Sequence, residues 1–559
     1  MNKIIKILNK EFGSLNQAAL LLGLFTLFSQ ILALIRDRSI AHFIGPSPEL
    51  DAYYAAFRVP DFIFITIASL ASITVLIPFI IAKMKNGTVT KEAQKFLNDI
   101  FTVFLAVIAL VSFMAFILMP HLVHFIAPGF TPLLQGKVIL LSRIMLLSPI
   151  LMGLSNLFGT VTQLFRKFFI YSLSPLFYNI GIIVGVLFFY PVFGIAGLAL
   201  GVVLGALMHF IIQAVASSGC GFRPGFSIAI NFQDIKKVVM ISLPRTLGLS
   251  FNSISLIAII ALASYLKSGS ISVFSFSLNL QSVPLNIIGV SYAVAAFPTL
   301  VKSYSDGNLT NFKNQLKSAG RAIVFWSLPV MFLFIVLRAQ IVRVILGSGS
   351  FTWDNTRLVA ASLAIFSVSV LAQAMTALLS RAYYTTGNTK KPLVVNFFCS
   401  VLIIILAYFF THIFQNVPEF KYFIESMLKV SGIPGTEILM LPLAYSAGTI
   451  LNFVLQWISV KRDFMNGAPF IAKSFFQSLG ASFFIGLVSY LSLNALSPVF
   501  GLTTFWGVFL QGLISGILGA AAGFLVLRLL KSEELDDLVK TLRTKFWSAR
   551  IIAPSQEEL

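Results

Sequence analysis

Charge is scarce in this chain. Only 11% of its 559 residues are Asp, Glu, Lys or Arg, against roughly a quarter in an ordinary soluble domain, and 57% are hydrophobic. That balance excludes a soluble globular protein and predicts an integral membrane protein built mostly of spans. Acid is scarcer than base, 20 residues against 40, for a net charge of +20. The excess does not point to nucleic acid, because the basic residues are spread over loops between hydrophobic runs, as the positive-inside rule requires. Cysteine is nearly absent: Cys220 falls in a loop and Cys399 in a span, which excludes a disulfide framework or a thiolate zinc site. His42, His121, His124, His209 and His412 show no ligand spacing, so no metal is expected. Enzyme signatures are missing too: no Walker loop, no GxSxG elbow, no HExxH, no paired carboxylates within one span. The chain is therefore expected not to be an enzyme, to need no cofactor, and to draw any transport from the membrane potential, an ion gradient or a downhill flux. Nor is a cleavable signal peptide expected, because the apolar run after Lys3, Lys6 and Lys10 is too long and has no cleavage site.

What the chain has is hydrophobic runs of span length, about 20 residues each. Fourteen are predicted, at 17–44, 52–82, 96–119, 138–164, 168–190, 193–217, 238–266, 270–301, 314–337, 357–385, 392–415, 438–460, 472–496 and 503–530. Alternate loops are rich in Lys and Arg and the others are poor in them, which predicts both termini in the cytoplasm. An internal repeat supports a two-lobed layout. Val59-Pro60 recurs as Val283-Pro284, Pro78 as Pro298, and Pro175–Asn179 as Pro392–Asn396, at offsets of 224, 220 and 217. The expected organisation is an N-lobe of six spans at 1–217, a cytoplasmic linker at 218–236, a C-lobe of six spans at 237–464, two extra spans at 465–530 and a cytoplasmic tail at 531–559. Two parallel copies of one bundle are a transporter layout, with the substrate site between the halves. Gly197, Gly201 and Gly205 read as close helix packing. The segment 416–437 reads as an amphipathic stretch on the membrane surface, with Phe420, Phe423, Ile424, Met427 and Leu428 as its apolar stripe. The tail reads as a solvated surface helix.

Charges inside the first two spans are the chemical signal, since an ionisable group at membrane depth costs about 2.5–3.5 kcal/mol on insertion scales. Arg36 and Arg58 both lie roughly 10–12 Å below the outer turn at 1.5 Å per helical residue, so they can face one cavity. Arg offers planar, bidentate donors and stays charged when desolvated, which suits a phosphate or diphosphate. Asp37 is placed to pair with a neighbouring Arg, and Asp51, seven residues before Arg58, is expected on the same helix face. Arg38 is expected to snorkel to the outer interface and Arg143 to anchor its helix. Arg245 enters span 7 from the cytoplasmic side and is read as greeting a headgroup at the inner mouth.

These residues carry a resemblance. Ser29, Arg36-Asp37, Gly45, Asp51-Ala52-Tyr53 and Ala56-Phe57-Arg58-Val59-Pro60 resemble the signature of the MurJ (MviN) family of lipid II flippases, in the multidrug/oligosaccharidyl-lipid/polysaccharide exporter superfamily. Further matches are Ala127-Pro128-Gly129-Phe130, Leu141–Met145, Leu243-Pro244-Arg245, Phe351-Thr352 and Arg381–Pro392. The resemblance implies an all-α polytopic fold of fourteen helices in two six-helix lobes plus two C-terminal helices that form a lipid groove. It implies a bacterial cytoplasmic-membrane flippase that moves a polyprenyl-diphosphate-linked sugar, lipid II, by alternating access, acting as a monomer among membrane lipids. Arg36, Arg58 and Arg245, with Asn279 and Gln281 of span 8, are the expected headgroup site, and Asp37 and Asp51 the gating or charge partners. The chain departs from the family at Gln30, Phe64-Ile65 and Asn279, where basic residues are usual, and at Ser69-Leu70, where an acidic residue and a glycine are usual. Span 7 has no carboxylate between Ser255 and Ser264. Another lipid-linked oligosaccharide, or a cation-coupled multidrug exporter of the same superfamily, are the alternative readings; coupling to a monovalent cation stays open.

Overall fold

A computed structural model describes residues 15–547, except 69–72, 85–89, 166, 221, 223–224, 466–470 and 502–503; at 15–23, 73–75, 78, 168, 244–245 and 541–547 it describes the backbone alone. Every described element is helical. In chain order they are α1 (Leu15–Phe43), α2 (Pro48–Ala56), α3 (Arg58–Ile63), α4 (Ile73–Ala82), α5 (Lys91–Ile126), α6 (Pro132–Met145), α7 (Leu147–Leu164), α8 (Phe168–Val184) and α9 (Ile195–Ser218). There follow α10 (Phe232–Ala263), α11 (Ser270–Pro284), α12 (Ser291–Ser305), α13 (Leu309–Val336), α14 (Arg338–Leu346), α15 (Trp353–Val368) and α16 (Val370–Thr385). The last are α17 (Lys390–Asn416), α18 (Pro418–Leu428), α19 (Met440–Phe464), α20 (Ala472–Leu496), α21 (Phe505–Leu529) and α22 (Glu533–Trp547).

Among the described residues eleven helices are long and apolar enough to cross a membrane, or twelve when α15 and α16, bent by 42°, count as one. The predicted fourteen are therefore not all established. The two outside the measure are the predicted spans 17–44 and 52–82, which hold Arg36, Asp37 and Arg58. Span 2 is also broken. Pro60 has no N–H to return to the carbonyl of Ala56, and that carbonyl instead accepts the Ser142 hydroxyl of α6 at 3.1 Å. A π-helical turn follows at Phe64–Ala68. The repeat shows in the same device: a π turn, Leu285–Val290, directly follows Pro284.

Packing repeats as well. α1 lies on α8, α8 on α9 and α7 on α9; in the second half α10 lies on α17, α17 on α19 and α16 on α19. Small residues allow the closest approaches: a β-carbon at Gly201 would lie 2.6 Å from the Cα of Gly185. α20 and α21 pair with each other, with α20 against α13 and α14 against α21. The expected apolar stripe of 416–437 divides. Ile424 and Leu428 are buried and Phe420 packs on the core, while Phe423 and Met427 stay exposed. Nor is the tail merely solvated. Arg321 of α13 pairs with Glu533 at 2.5 Å and Glu534 at 2.6 Å, Lys473 pairs with Glu533 at 3.0 Å, and Leu535 is buried.

Candidate functional site

The charged groups of α1, α2 and α3 lie where the two halves meet. Arg36 donates from Nε and Nη2 to Asp37 Oδ1 at 2.9 and 2.8 Å, and from Nη1 to Asn179 Oδ1 of α8 at 3.1 Å. The other carboxylate oxygen of Asp37 accepts from Asn279 Nδ2 of α11 at 3.1 Å. One hydrogen-bonded chain thus runs from α8 through α1 into the second half. Asp37 is buried, as a carboxylate can be only when its lone pairs are engaged. The expected pairing of Asp37 with a neighbouring Arg holds, with Arg36 as the partner. Asn279 stands inside this chain as Asp37's amide partner.

Arg58 is the contrast. It opens α3, is half-buried, makes no ion pair within 4 Å among the described residues, and has a buried Nε with no hydrogen-bond partner there. An unpaired buried guanidinium donor costs the full desolvation of that group unless something fills it. Tyr54 lies within electrostatic reach of Arg36, Asp37 and Arg58, and its hydroxyl is buried and unpartnered. Tyr178 lies within the same reach of Arg36 and Asp61. Tyr54 is thus a group that feels both arginines.

Asp61 was missed by sequence reasoning. It is exposed, three residues beyond Arg58 on α3. The signal was available: a carboxylate directly after a helix-breaking proline, one turn from an arginine. Asn179 was quoted only as a repeat anchor, yet it holds Arg36. Its repeat counterpart, Asn396, is likewise a hub, accepting from Asn452 at 2.8 Å and Gln456 at 3.4 Å.

Asp51 does not pair with Arg58, although the backbone stays right-handed helical through Phe57, at φ −66° and ψ −25°. Instead Asp51 is buried and reaches the other half, where its carboxylate accepts from Gly269 N at 2.6 Å and from Ser272 N and Oγ at 2.7 and 2.6 Å. It caps the N-terminus of α11, where an anion also meets the positive end of the helix dipole. The rest of this seam is carried by backbone amides. Gly129 N donates to Ser264 Oγ at 2.9 Å, and Ser350 N donates to the carbonyl of His42 at 2.9 Å. Gly349, at φ +57°, leaves no room for a β-carbon beside that carbonyl. Arg38 does not snorkel. It donates to the carbonyls of Val344 and Ile345 at 2.6 and 3.2 Å, at the C-terminal end of α14, and lies over the Phe505 ring. Arg143 anchors as expected, donating to the Phe116 carbonyl at 3.1 Å. At the opposite end the halves touch through Thr66 and Ser250, whose hydroxyls are 3.1 Å apart.

Two further expected site residues stand apart. Gln281 is buried, with its Nε2 unpartnered, on the packed side of α11 rather than on the Asn279 side. Arg245 lies on α10, and its side chain is outside the described residues. The site at hand is thus Arg36, Asp37, Arg58, Asp61 and Asn279, closed at one end by Asp51. It presents one guanidinium with a free Nε donor and one held in place by carboxylate and amide, an arrangement suited to an oxyanion.

Known proteins share this fold. The probable lipid II flippase MurJ of Rickettsia prowazekii is 25% identical over 393 residues, 70% of this chain and 77% of that protein. The corresponding protein of Buchnera aphidicola subsp. Acyrthosiphon pisum is 28% identical over 404 residues, 70% and 78% of the two chains. Among solved structures, a lipid II flippase MurJ in an inward closed conformation superposes with a TM-score of 0.73 at 22% identity, covering 93% of this chain and all of that one. An inward-facing multidrug resistance MATE family transporter of the MOP superfamily gives 0.61 at 15% identity, over 78% and 95% of the two chains. The family model described as lipid II flippase MurJ matches residues 40–511, and the chain belongs to that family.

Proposed function

We propose that this protein flips lipid II, a polyprenyl-diphosphate-linked peptidoglycan precursor, from the inner to the outer leaflet of the bacterial cytoplasmic membrane. The observation that carries the reading is Arg58, a buried guanidinium donor without a partner, gathered with Arg36 between the two halves. A diphosphate supplies the acceptors that Arg58 lacks. The halves, 1–217 and 237–464, rock about the linker 218–236 to give alternating access, with both termini in the cytoplasm. In this orientation the Asp51 seam is the outer gate and is closed. The helices of 465–530 guide the polyprenyl tail. Arg245 contributes to the headgroup path at the inner mouth.

The protein acts as a monomer and needs no cofactor. Export of a net negative headgroup is assisted by a negative interior, by about 2.3 kcal/mol per charge and 100 mV, or by a monovalent cation gradient. One observation favours a related substrate as the second reading: Asp37 meets the neutral Asn279, so the site holds one cation fewer than the family pattern. A different polyprenyl-diphosphate-linked oligosaccharide would then be the cargo. The test is complementation of a cell depleted of its own flippase. The wild-type chain restores growth, and Arg36→Ala or Arg58→Ala does not while still reaching the membrane. Normal growth with both variants refutes the site; failure of the wild type alongside retained flipping of another lipid-linked sugar selects the second reading.

A further inference from the structure

The linker between the two halves is laid along α5. Gly225 N donates to Asn98 Oδ1 at 3.1 Å, Ser227 N to Thr102 Oγ1 at 2.9 Å, and Asn231 N to Asp99 Oδ2 at 3.1 Å. Phe222 is buried, 6.0 Å from the Phe158 ring, and Phe226 stands 5.8 Å from Phe101. Past these anchors the linker turns apolar side chains outward. Phe226 is 74% exposed, Ile228 101% and Phe232 68%. Between the linker and α5 lies a cavity of about 580 Å³. Lys91, Gln94, Lys95 and Asn98 form one wall, and Phe226 and Ile228 the other.

Depth follows from α5 itself. Asp99 is its last charged residue before Met119, and the uncharged run from Ile100 is the length of one hydrocarbon core. Phe226 and Ser227, held at Phe101 and Thr102, therefore sit at the hydrocarbon boundary. Lys95 lies roughly 7 Å towards water at 1.5 Å per residue, the level of the headgroup phosphates, and Lys91 about one turn beyond it. Both lysines are exposed and neither has an ion-pair partner among the described residues, whereas neighbouring Lys83 is committed to Asp234 at 2.9 Å. The acids nearby do not fill the role of partner: Asp99 is buried and engaged by Asn231 N, and Glu92 is exposed on the first turn beside Lys91.

We propose that this cavity is a binding site for an anionic phospholipid of the cytoplasmic leaflet, with Lys91 and Lys95 on its phosphate and Phe226 and Ile228 against its acyl chains. The site seats the linker in the membrane, separate from the transported cargo. It rests on the cytoplasmic assignment of the linker and not on which lipid-linked sugar is carried. A polybasic contact at the surface is worth about fivefold in affinity per lysine.

The test is native mass spectrometry of the full-length protein titrated with dioleoylphosphatidylglycerol, dioleoylphosphatidylcholine and soluble glycerol phosphate. The wild type is expected to bind phosphatidylglycerol saturably and in preference to phosphatidylcholine. Lys91→Gln/Lys95→Gln weakens phosphatidylglycerol binding roughly twenty- to thirtyfold and removes the preference. Phe226→Ser/Ile228→Ser weakens it about tenfold or more, as loss of two exposed apolar side chains that the acyl chains would cover should, and melting curves confirm that each variant is folded. Arg58→Ala leaves it unchanged. Unchanged binding in both double variants overturns the proposal. So does displacement by equimolar glycerol phosphate, which would mark a free-anion site. Loss of phosphatidylglycerol binding in Arg58→Ala also overturns it, by placing the lipid in the central site.

Discussion

Replacing Asp51 by Asn should open the outer gate. The wild-type carboxylate takes three hydrogen bonds at the start of α11, from Gly269 N and from Ser272 N and Oγ. Bonds to a charged acceptor are worth about 1.5–3 kcal/mol each, and an anion at a partly buried helix N-terminus adds up to about 2 kcal/mol. The amide keeps one acceptor oxygen but turns an NH₂ towards a backbone N–H, so roughly 2–4 kcal/mol of the closed-state contact is lost. In the open state Asp51 is hydrated, and there the substitution costs little. The closed-to-open ratio therefore falls by about thirty- to seven-hundredfold, at 1.4 kcal/mol per decade. Spin labels at Leu133→Cys and Tyr422→Cys, at 76% and 72% exposure in the two halves, report the gate by pulsed dipolar spectroscopy in a Cys220→Ser/Cys399→Ser background. The wild type should show one short distance and Asp51→Asn a second, longer population. An identical distribution in both proteins would refute the assignment of Asp51 as the latch.

Three other outcomes follow from the same structure. Gly349→Ala should lengthen the same spin-label distance, because φ is +57° and a β-carbon would collide with the His42 carbonyl; an unchanged distance counts against a seam set by backbone contact. Arg38→Ala should lower the melting temperature in detergent, losing about 2–3 kcal/mol from the charge-assisted bonds at the end of α14 and the Phe505 contact, and an unaltered melt would show that Arg38 is solvated. Hydrogen bonds from Arg321 first, then Lys473, hold the Glu533 carboxyl down at about 2. A lowered value stabilises docking of the tail above the undocked carboxyl range near 4.3, and the contribution is lost as the pH falls towards 2. A spin label at Asp536→Cys should stay immobile at neutral pH and gain mobility over that window, and Glu533→Gln should flatten the change; mobility independent of pH would contradict the docking.

Much of this fold was written in the hydropathy of the chain. Long apolar runs have no alternative in a bilayer but helices, so eleven of the predicted spans, or twelve with α15 and α16 taken as one, correspond to apolar helices of span length. The repeat was legible because prolines at matching places leave matching breaks. Spacing arguments failed where the partners lie far along the chain. Asp51 and Arg58 are seven residues apart, yet Asp51 takes its partners from Gly269 and Ser272, more than two hundred residues on. Arg38 looked free to reach the interface, because its acceptors are carbonyls more than three hundred residues away, and a helix end leaves no mark in side-chain chemistry. The tail read as solvated for the same reason: Arg321 and Lys473 become its partners only after α13 and α20 pack together. Asp61 needed no structure to be found, only the rule that a carboxylate inside a span merits the same scrutiny as an arginine.

The central claim is that the unpartnered Nε of Arg58 waits for the diphosphate. Equilibrium binding of lipid II to the purified protein, wild type against Arg58→Ala, tests it most directly. A lost charge-assisted contact to phosphate predicts an affinity about ten- to hundredfold weaker, with the weakening absent for an analogue that lacks the diphosphate. Equal affinity of the two proteins for lipid II would contradict the account.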